Sequence, residues 1–228
     1  MVKISEKNIV PVVVVDKVYN AIKDSIFKGE YLPGMHLVET DLTNKYKVSR
    51  VTIRDALRRL MKDELVELIP HRGIIVRQLN YRDVIEIYTV REYLEGLAAR
   101  LVAQKKEEDL KPLKRISEQN EHLANVSEIM HFMQFNIVFH STVVTATDNF
   151  VLVKTLERLN AQLVAFQFLR LMGRIDVVKA MEQHRQILTA IFKGDAEGAE
   201  ALMRSHIRSS LEIVKESFSP TNPYLQNL

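Results

Sequence analysis

Residues 48–59, VSRVTIRDALRR, constrain the fold of this chain more than any other stretch. Ser49 is a favourable N-cap, and apolar side chains then recur at the spacing of one helical face: Ile53, Ala56, Leu57 and Leu60. Arginines follow at every fourth position on the opposite face: Arg50, Arg54 and Arg58. A helix does not need three aligned guanidinium groups to fold, and these groups match the acceptor-rich base edges of the major groove. The pattern therefore predicts a DNA-binding helix.

The surrounding sequence predicts a helix-turn-helix followed by a hairpin. A helical pattern covers residues 13–28, a Pro-Gly turn follows it, and Thr40 is in a position to cap the short second helix, DLTNKY. A tight connection then leads into the arginine-bearing helix. Residues 65–69 and 74–76 read as two short strands around the basic sequence PHRG. This arrangement is typical of a winged helix-turn-helix.

Composition and charge suit a soluble protein with two domains. The chain has 228 residues, 46% of them hydrophobic, and no cysteine, which excludes a disulfide scaffold and a thiolate metal site. The net charge of +3 comes from the first third, because residues 1–80 hold 14 Lys and Arg against 10 Asp and Glu. The longest apolar run near the amino terminus is too short to span a bilayer, and no cleavage site follows it. We expect a cytoplasmic protein with a basic, nucleic-acid-binding amino-terminal domain.

From residue 81 onward the sequence predicts only helices. Six helical patterns are separated by short polar or glycine-containing breaks and cover about residues 81–104, 107–124, 127–147, 149–172, 176–193 and 196–217. No hairpin signal or internal repeat interrupts them. The predicted fold is mainly α, with a winged helix-turn-helix domain at residues 1–79 and an all-α six-helix bundle at residues 80–228.

The first domain resembles a known family of DNA-binding proteins. The run DLTNKYKVSRVTIRDALRRLMKDELVELIPHRGIIV is similar to the winged helix-turn-helix of the GntR family of bacterial transcription regulators, and the match covers about residues 10–79. Many members carry an arginine early in the second helix, where this chain has Thr40. The resemblance implies a DNA-binding regulator, and this departure implies an altered operator preference.

Six residues are predicted to contact DNA. Arg50 and Arg54 lie near the amino end of the recognition helix, which enters the major groove, so we expect them to read bases. Arg58, toward the carboxyl end, is either phosphate-facing or only solvated. The remaining three are short or lie in the wing: Ser49 for a phosphate, Thr52 for a base methyl group or a phosphate, and His71 for the minor groove.

Three histidines and one asparagine lie at helical positions that neighbouring antiparallel helices can bring together. Asn136 and His140 are four residues apart, and His184 and His206 lie in the middle of the last two helices. Converging imidazoles with one oxygen donor are typical of a site for Zn, Ni, Mn or Fe. Alternatively, each histidine is a core residue satisfied by a hydrogen bond. The spacing alone leaves both interpretations open.

The helical domain also resembles a known family. The segments FNIVFHSTVVTATDNF, MEQHRQILTAIFKGD and MRSHIRSS are similar to the FCD domain of the FadR subfamily of GntR regulators, and six helices favour its shorter, VanR-like variant. In that family an acidic residue four before a histidine, and two later histidines, hold a divalent metal. The resemblance implies Asn136, His140, His184 and His206 as ligands here. Asparagine in place of the acidic residue offers a neutral carbonyl oxygen only.

A small organic acid is the effector that the family resemblance implies, held partly by the metal. Arg91, on the first bundle helix, is the predicted cation for its carboxylate. The alternative for Arg91 is an ion pair within the helix with Glu95, four residues on. Glu182 lies two residues before His184 and is expected to point away from it, so no general base for hydrolysis is identified.

These features predict a repressor-like transcription regulator and not an enzyme. We expect a homodimer on a palindromic operator, because one helix reads only a few base pairs, and operator binding that a small carboxylate modulates. One alternative is a constitutive dimeric DNA-binding protein with a vestigial metal site. A less favoured alternative is a metal-dependent hydrolase with an accessory winged helix.

Overall fold

The computed structural model describes residues 9–123, 129–170 and 175–218. The described residues form two compact units. The first holds those up to Leu79 together with Ala161–Leu169, and the second holds Asn80–Asn160 and those from Arg170 onward. The predicted helix ends at residues 124, 127 and 172 lie outside the described residues. The order of elements, a helix-turn-helix with a wing and then a series of helices, confirms the predicted mainly α fold.

Besides Ala161–Leu169, the first unit contains three helices and a two-stranded antiparallel sheet: α1 Ile9–Phe27, α2 Glu39–Tyr46, α3 Arg50–Lys62, β1 Val66–Ile69 and β2 Gly73–Val76. Helix α1 packs against α3. Both helices present apolar residues at helical spacing, so their contact faces bury side chains that are 0–1% exposed: Ile22, Ile26, Ile53, Leu57 and Leu60. This packing leaves the arginine-bearing face of α3 toward solvent.

Helix α3 begins as the sequence predicts. Ser49 is its N-cap, with extended backbone, and its side chain accepts a hydrogen bond from the Thr52 amide at 3.2 Å. This bond satisfies one of the amide groups that the first helical turn leaves without an intrahelical partner. The cap also fixes where the helix begins, so that the exposed Arg50 is its first residue.

Helix α2 does not begin as predicted. Thr40 was expected to cap it, but the helix starts at Glu39, and the preceding Val38 is the N-cap without a side-chain hydrogen bond. Glu39 and Asp41 supply two carboxylates to the first turn. Negative charge at a helix amino end interacts favourably with the helix dipole, which is the physical reason that no side-chain cap is required here.

The turn between α2 and α3 contains a non-glycine residue in a left-handed conformation. Lys47 is the C-cap of α2, with φ 55° and ψ 43°, and its amide donates to the Thr43 carbonyl at 3.0 Å. Residues other than glycine pay for this conformation in steric strain. We expect Lys47→Gly to stabilise the folded protein by about 1 kcal/mol, measured as the free energy of unfolding in denaturant.

Lys47→Ala is the control, because it removes the same charged side chain and keeps the Cβ. The alanine variant is expected to match the native protein in stability. If alanine and glycine stabilise the protein equally, side-chain loss and not backbone strain is responsible, and the prediction is wrong.

The wing is a short hairpin with a left-handed tip. Val66 pairs with Val76 and Ile69 with Gly73, and His71 and Gly73 both have positive φ, at 61° and 83°. A glycine adopts this conformation without strain, which explains why one lies at the start of β2. The hairpin is held to the preceding loop by the Leu37 amide, which donates to the Ile74 carbonyl at 2.8 Å.

The second unit is built from helices only in the part of the chain that the structure describes. They are α4 Tyr81–Ala103, a short 3₁₀ helix Glu107–Leu110 leading into α5 Lys111–Leu123, α6 Ile129–Thr145, α7 Phe150–Arg170 apart from its residues Ala161–Leu169, α8 Val177–Phe192 and α9 Ala196–Ser217. Helix α4 packs against α6, α8 and α9, and α5 packs against α6 and α8. Helices α4, α6, α8 and α9 therefore surround one common core.

Helix α4 is well defined at its start and closely packed along its length. Asn80 and Asp83 form a capping box, in which each side chain accepts from the other residue's amide. Farther along, Gly96 allows α9 to approach closely, since a Cβ there would lie 2.6 Å from the Arg204 side chain. Arg204 also pairs with Glu92 at 3.0 Å.

Among the described residues, no helix is long and apolar enough to cross a membrane.

Candidate metal centre and DNA-binding helix

Three histidines from different helices meet in the core of the helical unit. His140 comes from α6, His184 from α8 and His206 from α9, and they are 4%, 0% and 3% exposed. One ligand nitrogen from each lies within 4.8 Å of the others. The convergence that the spacing left open therefore occurs, and three buried imidazoles face one point.

The nitrogens that face this point are all Nε2. The Nε2 atom of His206 lies 3.2 Å from that of His184 and 3.3 Å from that of His140. A hydrogen bond between two imidazoles needs a proton on one of the two nitrogens. The position of that proton depends on the partners of the opposite ring nitrogens, Nδ1.

Oxygen acceptors lie next to two of these Nδ1 atoms and determine whether each atom carries a hydrogen. His140 Nδ1 lies 2.5 Å from Glu95 Oε2, and His206 Nδ1 lies 3.0 Å from Gln183 Oε1. A carboxylate and an amide carbonyl both accept, so each Nδ1 is the nitrogen that carries the hydrogen in the neutral rings. The Nε2 lone pairs of His140 and His206 then point at each other across 3.3 Å. This arrangement is unfavourable unless a metal ion lies between the lone pairs or one of the two Nε2 atoms is protonated.

His184 completes the set as a neutral ring. It stacks on Phe139 with ring centroids 4.0 Å apart, and its Nδ1 has no hydrogen-bond partner in the described structure. Burial, followed by the charges of His206 and His140, holds the pKa of His184 well below its ordinary value. Burial likewise lowers the pKa of His206 to about 3. Neutral imidazole is the form that coordinates a metal.

Glu95 is the charged acceptor beside this cluster. It is 0% exposed and lies between His140 and Arg91, whose Nε and Nη2 are 2.8 and 2.6 Å from Glu95 Oε1. Burial by itself would raise the pKa of Glu95, but the charge of Arg91 and the hydrogen bonds from His140 and Arg91 hold it below its ordinary value. The carboxylate therefore stays ionised in the core.

The arginine-bearing face of α3 is exposed, as predicted. Arg50 is exposed and has no ion pair within the described residues. Arg54 donates through Nε to both oxygens of Glu39, at 3.0 and 2.9 Å. Arg58 pairs with Asp55 one turn earlier at 3.2 Å. Three guanidinium groups thus line one side of the helix.

The other predicted DNA contacts lie beside this face or in the wing. The hydroxyls of Ser49 and Thr52 are 2.9 Å apart at the amino end of α3. His71 is exposed at the tip of the hairpin. Five of the six predicted side chains are therefore exposed, and Thr52 is half-buried.

Comparison with known proteins identifies both units. Residues 14–76 match the family described as bacterial regulatory proteins, gntR family, and residues 86–209 match the FCD domain. A HTH-type transcriptional regulator of Bacillus subtilis, YdhC, is 32% identical over 86% of this chain and 89% of its own length. The chain belongs to the GntR family. It is a DNA-binding transcription regulator, and the proteins it matches are regulators and not enzymes.

Two further proteins support this assignment. The galactonate operon transcriptional repressor of Escherichia coli is 27% identical over 88% of this chain and 96% of its own length. The solved structure of Escherichia coli McbR/YncC covers 90% of this chain and 99% of its own, with a TM-score of 0.77 at 19% identity. The structural match extends the GntR and FCD fold to nearly the whole chain.

Arg91 is buried in this FCD domain and already has a protein partner. It is 4% exposed, and the alternative considered for it, a pair with Glu95, is present. Its guanidinium also lies 5.1 Å from the centre of the Tyr88 ring. A direct contact with an effector remains a prediction.

Asn136, the predicted fourth ligand, lies one helical turn before His140 on α6. It is half-buried, and its side chain carries no charge. The negative charge near the histidines comes from Glu95 on α4 instead. Coordination by Asn136 remains a prediction.

The sequence interpretation missed Glu95 and Gln183 as parts of the site. Glu95 was considered only as a partner of Arg91, and its helical spacing carried no sign that it reaches α6. Glu182 does point away, as expected, and pairs with Arg185 at 2.6 Å on the surface. Because both oxygens of Glu95 are already engaged, this carboxylate does not act as a general base for a hydrolase.

Proposed function

We propose that this GntR-family regulator binds a palindromic operator as a homodimer and represses transcription until a small carboxylate binds in a metal-containing FCD domain. The observation that carries the effector part is the convergence of three Nε2 atoms, two of whose lone pairs, those of His140 and His206, are set by Glu95 and Gln183. Because its ligand is chromosomal DNA, we infer that it acts in the cytoplasm.

The donor set fits a divalent transition metal. Three neutral imidazoles, without cysteine, suit Zn, Ni, Mn or Fe, and Asn136 is the proposed fourth protein ligand. Hydrogen bonds from Nδ1 to Glu95 and Gln183 are the outer contacts that commonly orient metal-binding histidines. A cation held here supplies a Lewis-acidic position for a carboxylate oxygen.

A carboxylate effector suits the charges around the histidines. A cation held by neutral imidazoles keeps its full positive charge, and the guanidinium of Arg91 adds a second positive charge beside Glu95. Glu95 neutralises part of this charge, which leaves room for one further anion. The similarity to a galactonate operon repressor supports a sugar acid or another small organic acid.

The DNA-binding part of the proposal assigns separate roles along α3. Arg50 and Arg54, near the capped amino end, read bases, and Arg58, nearer the carboxyl end, contacts phosphate. Ser49 and Thr52 contact phosphate or a base methyl group at the start of the helix. His71 reaches the minor groove from the wing.

Dimerisation is proposed because one recognition helix reads too few base pairs for useful specificity. A strip of exposed apolar residues on α4 supports a self-association surface: Val90 at 46% exposure, Tyr93 at 58% and Leu97 at 39%. These residues share one helical face, and an isologous contact places two copies of that face together. The effector is proposed to change the spacing of the two recognition helices.

The proposal is tested by measuring operator affinity with the metal-loaded protein. An operator is first selected from a randomised DNA pool, and its dissociation constant is then measured with a panel of hydroxy, sugar and dicarboxylic acids. We expect at least one acid to weaken binding by about 5- to 150-fold, with a reciprocal loss of acid affinity on operator addition. Unchanged operator affinity with every acid, in both the metal-loaded and metal-free protein, would instead favour a constitutive DNA-binding protein.

A further inference from the structure

The ion pair between Glu39 and Arg54 has an unusual geometry for the surface of α3. Both carboxylate oxygens of Glu39 lie within 3.0 Å of the single Nε of Arg54. The other two paired arginines of this helix, Arg58 and Arg59, are engaged through Nη1. In the described structure, Arg54 therefore keeps both terminal amino groups without a hydrogen-bond partner, and only its inner edge is occupied.

The exposure of the pair argues against a role in stability alone. The Arg54 side chain is 59% exposed and the Glu39 side chain 32% exposed, so solvent screens much of their attraction. The acceptor also comes from the first turn of α2, and not from the recognition helix itself. The pair thus ties the orientation of an α3 side chain to the neighbouring helix.

This orientation suits the recognition of a guanine. Guanine offers O6 and N7 as two neighbouring acceptors in the major groove, and an arginine binds both with two parallel N–H donors. Because Glu39 occupies Nε, the remaining donors of Arg54 are its two Nη groups, which lie at the outer end of the side chain. A guanidinium that is already oriented also loses less rotamer freedom when it binds.

The charge of Glu39 has a second consequence. An arginine that pairs with a carboxylate attracts phosphate less strongly, because the pair has no net charge. Nonspecific binding depends on such phosphate attraction, whereas base recognition depends on donor geometry. Glu39 therefore lowers the nonspecific contribution of Arg54 and leaves its specific contact intact.

We propose that Glu39 is a specificity-determining positioning residue, which holds the Nε edge of Arg54 so that its two Nη groups read the O6 and N7 atoms of one guanine in each half-site. This inference rests on the proposed base-reading role of Arg54. It adds a residue of α2 that does not itself contact a base.

The test compares affinity for an operator duplex, selected by the native protein from a randomised pool, with affinity for a scrambled duplex of equal length. In Glu39→Ala we expect the ratio of specific to nonspecific affinity to fall by about tenfold per half-site. Nonspecific affinity is expected to rise, with a salt dependence steeper by about one ion per protomer. Glu39→Gln, whose amide oxygen still accepts from Nε, should keep more of the ratio than Glu39→Ala.

Asp41→Ala is the matched control, because Asp41 is the other acidic residue in the first turn of α2 and does not contact Arg54. In this variant, binding should depend on a guanine at the same operator position as in the native protein. In the native protein, replacing the contacted guanine with 7-deazaguanine should weaken binding, and this effect should be absent in Arg54→Ala and smaller in Glu39→Ala.

A double-mutant cycle separates the possible outcomes. If the proposal holds, Glu39→Ala in the Arg54→Ala background causes no further loss of the affinity ratio. If Arg54→Ala lowers the ratio but Glu39→Ala does not, the positioning role is wrong and base reading by Arg54 stands. If Arg54→Ala weakens both duplexes equally, base reading by Arg54 fails, and the positioning role fails with it. Additive losses with a reduced melting temperature would assign Glu39 to the stability of α2 only.

Discussion

Replacing His184 with phenylalanine is expected to abolish binding of a divalent metal while the helical unit stays folded. His184 is 0% exposed and its ring stacks on Phe139 at 4.0 Å, so another aromatic ring retains this packing. Phenylalanine has no ring nitrogen, and the cluster then offers only two Nε2 atoms. Elemental analysis of protein purified without chelator or affinity tag measures the effect. We expect near-stoichiometric metal in the native protein and essentially none in the variant.

The thermal stability of the two proteins should respond differently to a chelator. A metal that binds only the folded state stabilises it by about 2.7 kcal/mol at a free concentration one hundred times its dissociation constant. Chelation is therefore expected to lower the melting temperature of the native protein and to leave that of His184→Phe unchanged. His184→Ala, which leaves a cavity in the core, should lose metal as well but start from a lower melting temperature.

Two further variants make this test specific. His131→Ala changes an exposed histidine of the same helix as His140 and should keep full metal content. Glu95→Gln retains an acceptor for His140 Nδ1 but removes the charge that pairs with Arg91, so metal affinity should fall by about 10- to 100-fold. A native protein without metal after reloading with Zn, Ni, Mn or Fe, or full metal content in His184→Phe, would show that the histidines are only a hydrogen-bonded core cluster.

Arg50→Ala is expected to cause the largest loss of operator affinity of any single substitution on α3. Arg50 is the first residue of the helix, is exposed, and has no ion pair within the described residues, so its guanidinium does not have to leave a protein partner to bind DNA. A bidentate contact between arginine and guanine contributes about 1–3 kcal/mol of discrimination. Two half-sites double this to about 2–6 kcal/mol, which is a loss of roughly thirtyfold or more.

The matched control is Arg58→Ala, which removes the same charge from the same helix face two turns later. Arg58 is 73% exposed and pairs with Asp55, and its proposed contact is with phosphate. Its loss should weaken operator and scrambled duplexes by a similar factor and flatten the salt dependence by about one ion per protomer. Fluorescence anisotropy over a range of salt concentrations measures both variants. Equal effects of Arg50→Ala on the two duplexes would assign Arg50 to the phosphate backbone.

Local patterns predicted most of what the DNA-binding unit contains. The Ser49 cap, the buried face of α3 and the row of exposed arginines all follow from spacing along one helix, because helical periodicity decides which side chains share a face. The start of α2 was the exception. Carboxylates in its first turn took the place of a side-chain cap, and a rule based on capping residues alone does not detect that substitution.

The metal centre could be predicted only as a set of separate positions. Helical spacing placed the three histidines on suitable faces, but their convergence depends on how α6, α8 and α9 pack. Glu95 and Gln183 were not identified at all, since their contacts with His140 and His206 join residues 45 and 23 positions apart. Arg91 had two predicted roles, an effector contact and an ion pair with Glu95. The packed helices form the ion pair, and the effector contact remains a prediction.

The identity of the helices, their faces and the two-domain order are thus encoded locally, in the apolar periodicity and capping residues of each segment. The tertiary structure decided which ring nitrogens face one another, which carboxylate stays ionised in the core, and which edge of Arg54 remains available. The physical reason is that hydrogen-bond direction and burial depend on atoms from several helices at once. A one-dimensional pattern records the residue types at each position but not the partners that set their protons and orientations.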